Sequence, residues 1–331
     1  MTSFDQVTQT TQRTWLKQLA EAALGRYGIE NAKLKIISTP SSTVFRVDAV
    51  NQRYVLRVNS EPSDRWLKWT EAELLWLLAI KRDTNLSVPE PIAALNGTFV
   101  HKVYTNKIPE GRLVTLLRWM PGQSISKRPV PDLVRQIGAF MAQLHNHTEQ
   151  FSLPENINRP HTKWNKLLYW QDRQNDTSDT LTTEQRDLCA SASERLFAEI
   201  EEIGTSEDYG LVHADLTLNN CLLHQGQLNV IDFADSRYAS HYYDMAVPLT
   251  DFTQYWRIGV HEYERLRAEF CEGYSSVRSL GRRYESAVET FMVARAFDVV
   301  EWIHLDWPSP TAFPFGPELL SQSLQRIRGY L

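Results

Sequence analysis

Residues 210–236 read Gly-Leu-Val-His-Ala-Asp-Leu-Thr-Leu-Asn-Asn-Cys-Leu-Leu-His-Gln-Gly-Gln-Leu-Asn-Val-Ile-Asp-Phe-Ala-Asp-Ser. Leu222-Leu223 closes one apolar run, and Leu228 to Phe233 forms a second. Gln225-Gly226-Gln227 between them supplies the glycine that a tight turn needs, so the stretch predicts a β-hairpin. Polar residues crowd its edges: His213, Asp215 and Asn220 before the first run, Asp232 and Asp235 at the end of the second. A hairpin folds both edges to one end, which brings Asp215, Asn220 and Asp232 together. An aspartate carboxylate accepts protons, and Asn and Asp are hard oxygen ligands of the kind Mg²⁺ takes.

The spacing is His213-x-Asp215-x4-Asn220, followed by Ile231-Asp232-Phe233. This resembles the catalytic loop and metal-binding segment of the kinase superfamily. Ala214 stands where eukaryotic protein kinases have Arg, and Ala234 where they have Gly. No Ala-Pro-Glu follows, and Asp244 comes too soon to leave room for a regulated activation loop. Val212-His213-Ala214-Asp215-Leu216, Ile231-Asp232-Phe233-Ala234-Asp235 and Tyr243-Asp244-Met245-Ala246 instead resemble the aminoglycoside phosphotransferase family. Its relatives include choline and homoserine kinases and a stress-response protein kinase.

The resemblance implies an α+β, two-lobed protein-kinase-like fold. Residues 1–118 would be a small antiparallel-sheet lobe that binds nucleotide, and residues 119–331 a larger, mostly helical lobe for catalysis and acceptor binding. It implies that Asp215 takes the acceptor's hydroxyl proton and that Asn220 and Asp232 hold Mg²⁺ beside ATP. His213, Asp235 and Asp244 would support them.

The first lobe opens with a helical pattern over 8–27, ended by Gly28, and three strand-like runs at 33–38, 43–50 and 54–59. Arg57, in Tyr54-Val55-Leu56-Arg57-Val58, sits where the family keeps a phosphate-binding basic residue. A guanidinium fork suits phosphate. The family pairs that residue with a Glu on the next helix, predicted at 63–81. Glu71 and Glu73 both fit the periodicity, and Glu73 fits the relatives' wording better. The turn at 38–43 has no glycine, but the hydroxyls and amides of Ser41 and Ser42 can cradle phosphate. Strands near 99–104 and 112–119 lead to Met120-Pro121-Gly122, where Arg118, Trp119 and Met120 would form a hinge against the base. Backbone contacts there accept adenine or guanine.

In the second lobe, 132–147 reads as a helix with one buried face, and His145 and His147 in it read as core or surface residues rather than ligands. Helices follow at 164–170, 184–203, 255–275, 285–304 and 317–330. Those nearest the C-terminus would shape the acceptor pocket, and the helix at 285–304 mixes Arg295, Asp298 and Glu301 with Phe291 and Trp302.

The chain has 331 residues, 42% of them apolar, enough for two domains with buried cores. Cys189, Cys221 and Cys271 are far apart and odd in number, which predicts reduced thiols. The N-terminus lacks a basic-then-apolar signal, and no apolar run is long enough for a bilayer. These features predict a cytoplasmic protein with no membrane partner. No basic stripe points to nucleic acid.

Residues 1–120 carry 16 Lys+Arg against 11 Asp+Glu, and residues 121–331 carry 19 against 29. The basic first lobe suits phosphates. The acidic second lobe favours a cationic or zwitterionic acceptor, and Trp164, Tyr169, Trp170, Trp302 and Trp307 are rings that can hold an ammonium group. The function expected is therefore ATP- and Mg²⁺-dependent transfer of the γ-phosphate to a hydroxyl of a small molecule such as an amino alcohol or amino sugar. A stress-response-type Ser/Thr protein kinase would use the same residues on a polypeptide. A non-catalytic nucleotide-binding module is the third reading, and the intact Asp215, Asn220 and Asp232 stand against it.

Overall fold

Alternation in residues 42–48 becomes a strand that buries Phe45 and Val47 and leaves Val44 and Arg46 half-exposed. In the computed structural model, which describes residues 4–38, 42–60, 64–125, 130–164, 180–204, 208–254, 259–306 and 316–331, this strand belongs to the first of two compact units. That unit comprises Met1–Pro121 with Leu153–Arg159. Its strands are β1 (Lys33–Ser38), β2 (Ser42–Asp48), β3 (Arg53–Asn59), β4 (Val100–Thr105) and β5 (Ile108–Arg118). They form one antiparallel sheet in the order β1-β2-β3-β5-β4.

Helix α1 (Gln9–Leu24) starts where the Thr8 hydroxyl accepts the Thr11 N–H at 3.3 Å, a side-chain cap on an otherwise orphan donor. Its Leu16, Leu19, Ala20 and Ala23 join Phe45, Leu56, Val58 and Val114 in one core. Helix α2 (Asp64–Asp83) buries Leu74, Trp76, Leu77 and Ile80, and with them the carboxylate of Glu73. Strand β5 begins four residues before the start predicted from the pattern. Gly111 lies inside it at φ +74°, and that break in alternation hid the strand's first turn of residues.

The second unit comprises Gly122–Ser152 and Pro160–Leu331. It holds α3 (Pro131–Thr148), α4 (Thr183–Ile203), α5 (His241–Gln254), α6 (Val260–Ser275), α7 (Tyr284–Asp306) and α8 (Gly316–Tyr330). Two small sheets lie among them: β7 (Tyr209–Val212) with β10 (Arg237–Ser240), and β6 (Gln123–Ser124) with β8 (Cys221–His224) and β9 (Gln227–Val230). The hairpin predicted from sequence is β8–β9, with Cys221 opposite Val230 and its turn at Gln225-Gly226. Helix α4 starts with a reciprocal cap between Thr182 and Gln185.

Helix α5 is the helix that the family resemblance places at Asp244, and periodicity does not show it. Residues 241–250 are all buried and Pro248 lies inside the helix, so there is no polar face to give a period and a residue that normally breaks helices stands in the middle. The predicted helix at 164–170 lies outside the described residues after Trp164, and that at 255–275 before Gly259. Among the described residues no helix is long and apolar enough to cross a membrane.

Helices α3 and α6 meet through reciprocal glycines. A Cβ on Gly138 would stand 2.1 Å from the Phe270 carbonyl oxygen, and one on Gly273 would stand 1.9 Å from that of Arg135. Both obstacles are backbone, so only a shift of a whole helix makes room. Gly138→Ala and Gly273→Ala are each expected to cost ~1–3 kcal/mol of stability in denaturant titration, the range for overpacking. Wild-type midpoints for both variants would show that the helices are not in this contact.

Candidate active site

The loop after β7 is built around one buried carboxylate. Asp244, in the first turn of α5, accepts the Ala214 N–H at 2.7 Å on Oδ1 and the His213 N–H at 3.3 Å on Oδ2. Its Oδ2 also lies 3.0 Å from Nε2 of His145 on α3, and His145 Nδ1 lies 2.8 Å from the Tyr274 hydroxyl. Burial drives the His145 pKa down to about 3, so the ring is neutral: it accepts from tyrosine and donates to Asp244. Burial raises Asp244 as well, against the opposing pull of His213 and the two amides.

These bonds hold Ala214 at φ +64°, an uncommon conformation for a residue with a Cβ. His213 completes the turn. Its Nδ1 accepts the Asp215 N–H at 3.3 Å, so Nε2 carries the proton and donates to the Ile231 carbonyl at 3.2 Å. Burial lowers the His213 pKa, in keeping with a neutral ring.

Asn220 ties the loop to the hairpin. Its side-chain nitrogen Nδ2 donates to the Asp215 backbone carbonyl at 2.8 Å and to Asp215 Oδ2 at 2.9 Å, and its backbone carbonyl accepts the Ile231 N–H at 2.9 Å. The chain then turns at Asp232, which has φ +65° and is exposed. The three residues singled out from the sequence are thus stitched to one another within a few bonds. Asp235 is exposed nearby, and its backbone carbonyl accepts from Arg237 Nε at 3.3 Å.

The sequence places Arg295 and Asp298 on a helix expected to shape the acceptor pocket but does not show that they approach Asp215, as they do from α7. Arg295 donates from Nη2 to Asp215 Oδ1 at 2.7 Å. Its Nη1 lies 3.5 Å from Asp298 Oδ2, which also takes Arg237 Nη2 at 3.4 Å and the Tyr243 hydroxyl. Asp298 stays below the usual carboxylate range: burial pushes it up, but Arg237 and Arg295 outweigh that. Asp215 goes the other way. Burial raises it to about 6, with Arg295 opposing and Asp235 reinforcing the rise. The Asp215 side chain keeps 27% of its surface exposed, enough for a small molecule to reach it.

The charge at this point differs from that of the acidic lobe around it, because two guanidiniums flank the carboxylate. Trp164, half-buried, packs edge-on against Tyr243 at 5.2 Å and tilted against Phe291 at 5.5 Å. Trp302 is 38% exposed, while Tyr169, Trp170 and Trp307 lie outside the described residues.

In the sheet unit, Arg57 Nη2 meets Glu73 Oε2 at 2.7 Å with both side chains buried. The choice left open between Glu71 and Glu73 is resolved by α2, which turns Glu73 inward. Ser42 opens β2, and Ser41 lies outside the described residues. At the end of β5, the Arg118 N–H goes to the Glu90 carbonyl at 2.8 Å and the Trp119 N–H to the Arg53 carbonyl at 3.1 Å. The Arg118 side chain binds Glu90 at 2.6 Å and Gln52 at 2.7 Å. Both amides are therefore taken by backbone carbonyls of the same unit.

An antiparallel sheet with a buried Arg–Glu pair, and a helical unit whose His-x-Asp-x4-Asn loop runs into a hairpin ending in Asp, make a protein-kinase-like architecture. Residues 34–285 match the phosphotransferase enzyme family, and the chain belongs to that family. It is a phosphotransferase, a kinase with an alcohol group as acceptor. The amicoumacin kinase of Bacillus subtilis (strain 168) is 24% identical over 298 residues, 86% of this chain and 84% of its own. A solved microcompartment-associated aminopropanol kinase superposes with a TM-score of 0.76 at 23% identity, covering 95% of both chains. A solved amicoumacin kinase, hAmiN, in complex with AMP-PNP, Ca²⁺ and Ami gives 0.78 at 19%, covering 96% of this chain and 93% of its own.

One buried acid beneath the loop also went unnoticed in the sequence. Asp251 Oδ2 accepts the Leu218 N–H at 2.9 Å, while its Oδ1 is buried with no partner among the described residues. Burial pushes its pKa up to about 7, against the Leu218 N–H, from 3.8 for a free aspartate. The folded chain thus holds a proton that the unfolded chain releases. Stability from this group is full below the free value and is lost as pH rises through the folded one. Asp251→Asn is expected to raise the melting temperature more near about pH 8 than near about pH 5. A shift of equal size at both would mean that Asp251 is charged in the folded protein throughout.

Proposed function

We propose that the chain is an ATP- and Mg²⁺-dependent kinase whose acceptor is the hydroxyl of a small amino alcohol, amino sugar or similar compound. The observation that carries this reading is the Asp215 carboxylate. It is reachable from solvent, its oxygens are fixed on two sides, and it belongs to a loop pinned through Asp244 and His213. Its pKa of about 6 leaves it mostly ionised at neutral pH yet basic enough to take a proton as the hydroxyl oxygen attacks phosphorus.

Asn220 turns its amide nitrogen to Asp215, so its carbonyl oxygen is the atom left for a cation. With Asp232 it would offer Mg²⁺ two hard oxygens, the ligand type that ion takes. When bound, the ion neutralises charge on the phosphates. Arg57, held straight by Glu73, would take the α- and β-phosphates, with Ser41 and Ser42 on the loop beside them and the Met120 backbone on the base. His213 and Asp244 shape the loop, and Asp235 sits beside Arg237. Positioning and charge compensation carry most of such a reaction.

A thermal shift and two variants test the nucleotide half. Millimolar MgATP should raise the melting temperature, since a ligand of the folded state stabilises it by mass action. Asp232→Ala should weaken MgATP binding. Asp215→Asn should leave it nearly intact and lower turnover by roughly two to four orders of magnitude. Near-normal turnover in Asp215→Asn would remove the proton-acceptor role.

The acceptor half calls for an ADP-release screen with 1-amino-2-propanol, L-homoserine, choline, aminoglycosides and a model protein. Amino alcohols should give a higher kcat/KM than matched neutral alcohols, and added salt should narrow the gap, because the lobe's acidic field is screened beyond about 10 Å. Equal values at both salts would mean that Arg237 and Arg295 cancel that field where the acceptor binds. Turnover of the protein alone would favour the polypeptide-acceptor reading.

A further inference from the structure

We propose that Arg295 is a positioning residue for phosphoryl transfer: it aims the Asp215 carboxylate at the acceptor hydroxyl and acts only through that carboxylate. The inference rests on the reading of Asp215 as the proton acceptor.

The geometry is that of a clamp. Asn220 Nδ2 takes Asp215 Oδ2 at 2.9 Å, and Arg295 Nη2 takes Oδ1 at 2.7 Å. A carboxylate oxygen has two lone-pair sites, so each oxygen keeps one for an incoming hydroxyl. Rotating the carboxylate about its own axis breaks both bonds at once. Arg295 comes from 80 residues away in the chain, on a helix that takes no part in the catalytic loop, so the loop cannot set this contact by itself.

The guanidinium is itself held. Asp298, one turn further along α7, faces Arg295 Nη1 at 3.5 Å, and Arg237 Nη2 and the Tyr243 hydroxyl bind the same Asp298 carboxylate. Arg237 lies over the Tyr243 ring, 5.7 Å from its centroid, and that ring is packed by Trp164 and Phe291. A forked side chain spans Asp215 and Asp298 together, whereas a lysine ammonium is a single point that reaches one of them. A plain structural ion pair would need no such selectivity and would show itself only in stability.

The test uses this whole 331-residue chain and MgATP hydrolysis with water as acceptor, so it depends on no particular substrate. Arg295→Ala should lower kcat roughly ten- to a hundredfold, the scale of a misplaced catalytic group, with KM for MgATP within about twofold. Arg295→Lys should recover part of that loss, and the double variant Asp215→Asn/Arg295→Ala should be no slower than Asp215→Asn alone. If Arg295→Ala does not fold, Arg295→Lys and Asp298→Asn each take its place, alone and combined with Asp215→Asn, and each is expected to be slow only while Asp215 is present.

Wild-type kcat in Arg295→Ala while Asp215→Asn is slow would overturn the inference and leave the base in place. So would a double variant slowed by the full product of the single effects. Wild-type hydrolysis in Asp215→Asn would instead overturn the proton-acceptor reading, and this inference with it.

Discussion

The carboxylate of Asp244 is the group on which the catalytic loop depends. It has no exposed surface, and it collects the amides of His213 and Ala214 together with the His145 ring. An unpaired buried charge is costly, and so is a buried amide without an acceptor. Each satisfies the other here, which fixes the chain just before Asp215 without using Asp215 itself. Its position in the first turn of α5 links the loop to a helix that is buried on all sides, so the loop inherits the rigidity of the core.

The same economy recurs on the far side of Asp215. The second unit's sequence is acidic overall, and a count of charges places a negative field around the site. The structure sets two arginines against Asp215 and Asp298 at the one point where a reaction would occur. Lobe-wide charge acts through solvent and is screened, while these pairs act at hydrogen-bond distance in a largely buried cluster. The local pairs therefore outweigh burial at Asp298 and oppose it at Asp215, while the acidic helix faces bear on the approach of a ligand.

Much of this was legible in the sequence because the decisive elements are local. The β8–β9 hairpin is written in a Gly between two apolar runs, and its folding alone brings Asn220 and Ile231 into contact. The Arg57–Glu73 pair joins neighbouring elements: the family resemblance narrowed it to two glutamates and favoured Glu73, and helix packing turns Glu73 inward. Arg295 and His145 were visible as residues but not as partners. Arg295 reaches Asp215 across 80 positions and His145 reaches Asp244 across 99, separations at which periodicity carries no information. Helix α5 was implied by the family resemblance and not by periodicity, because a helix without a polar face has no period to detect.

Ala214 shows how closely the loop's backbone and its buried acid are matched. A left-handed conformation costs a residue with a Cβ roughly 1–2 kcal/mol. Glycine would remove that cost but would also free the chain to leave the conformation, since it loses more entropy on ordering than any other residue. Alanine keeps the chain stiffer, and the 2.7 Å bond from its amide to Asp244 supplies the compensating interaction. Asp232, at the other end of the site, also has positive φ, though aspartate tolerates that region better than most residues. The two strained positions bracket Asp215 and Asn220 in sequence, and His213 spans them through the Ile231 carbonyl. Both positions flank Asp215 and Asn220 in the chain, and the bonds that hold Ala214 run to a fully buried carboxylate.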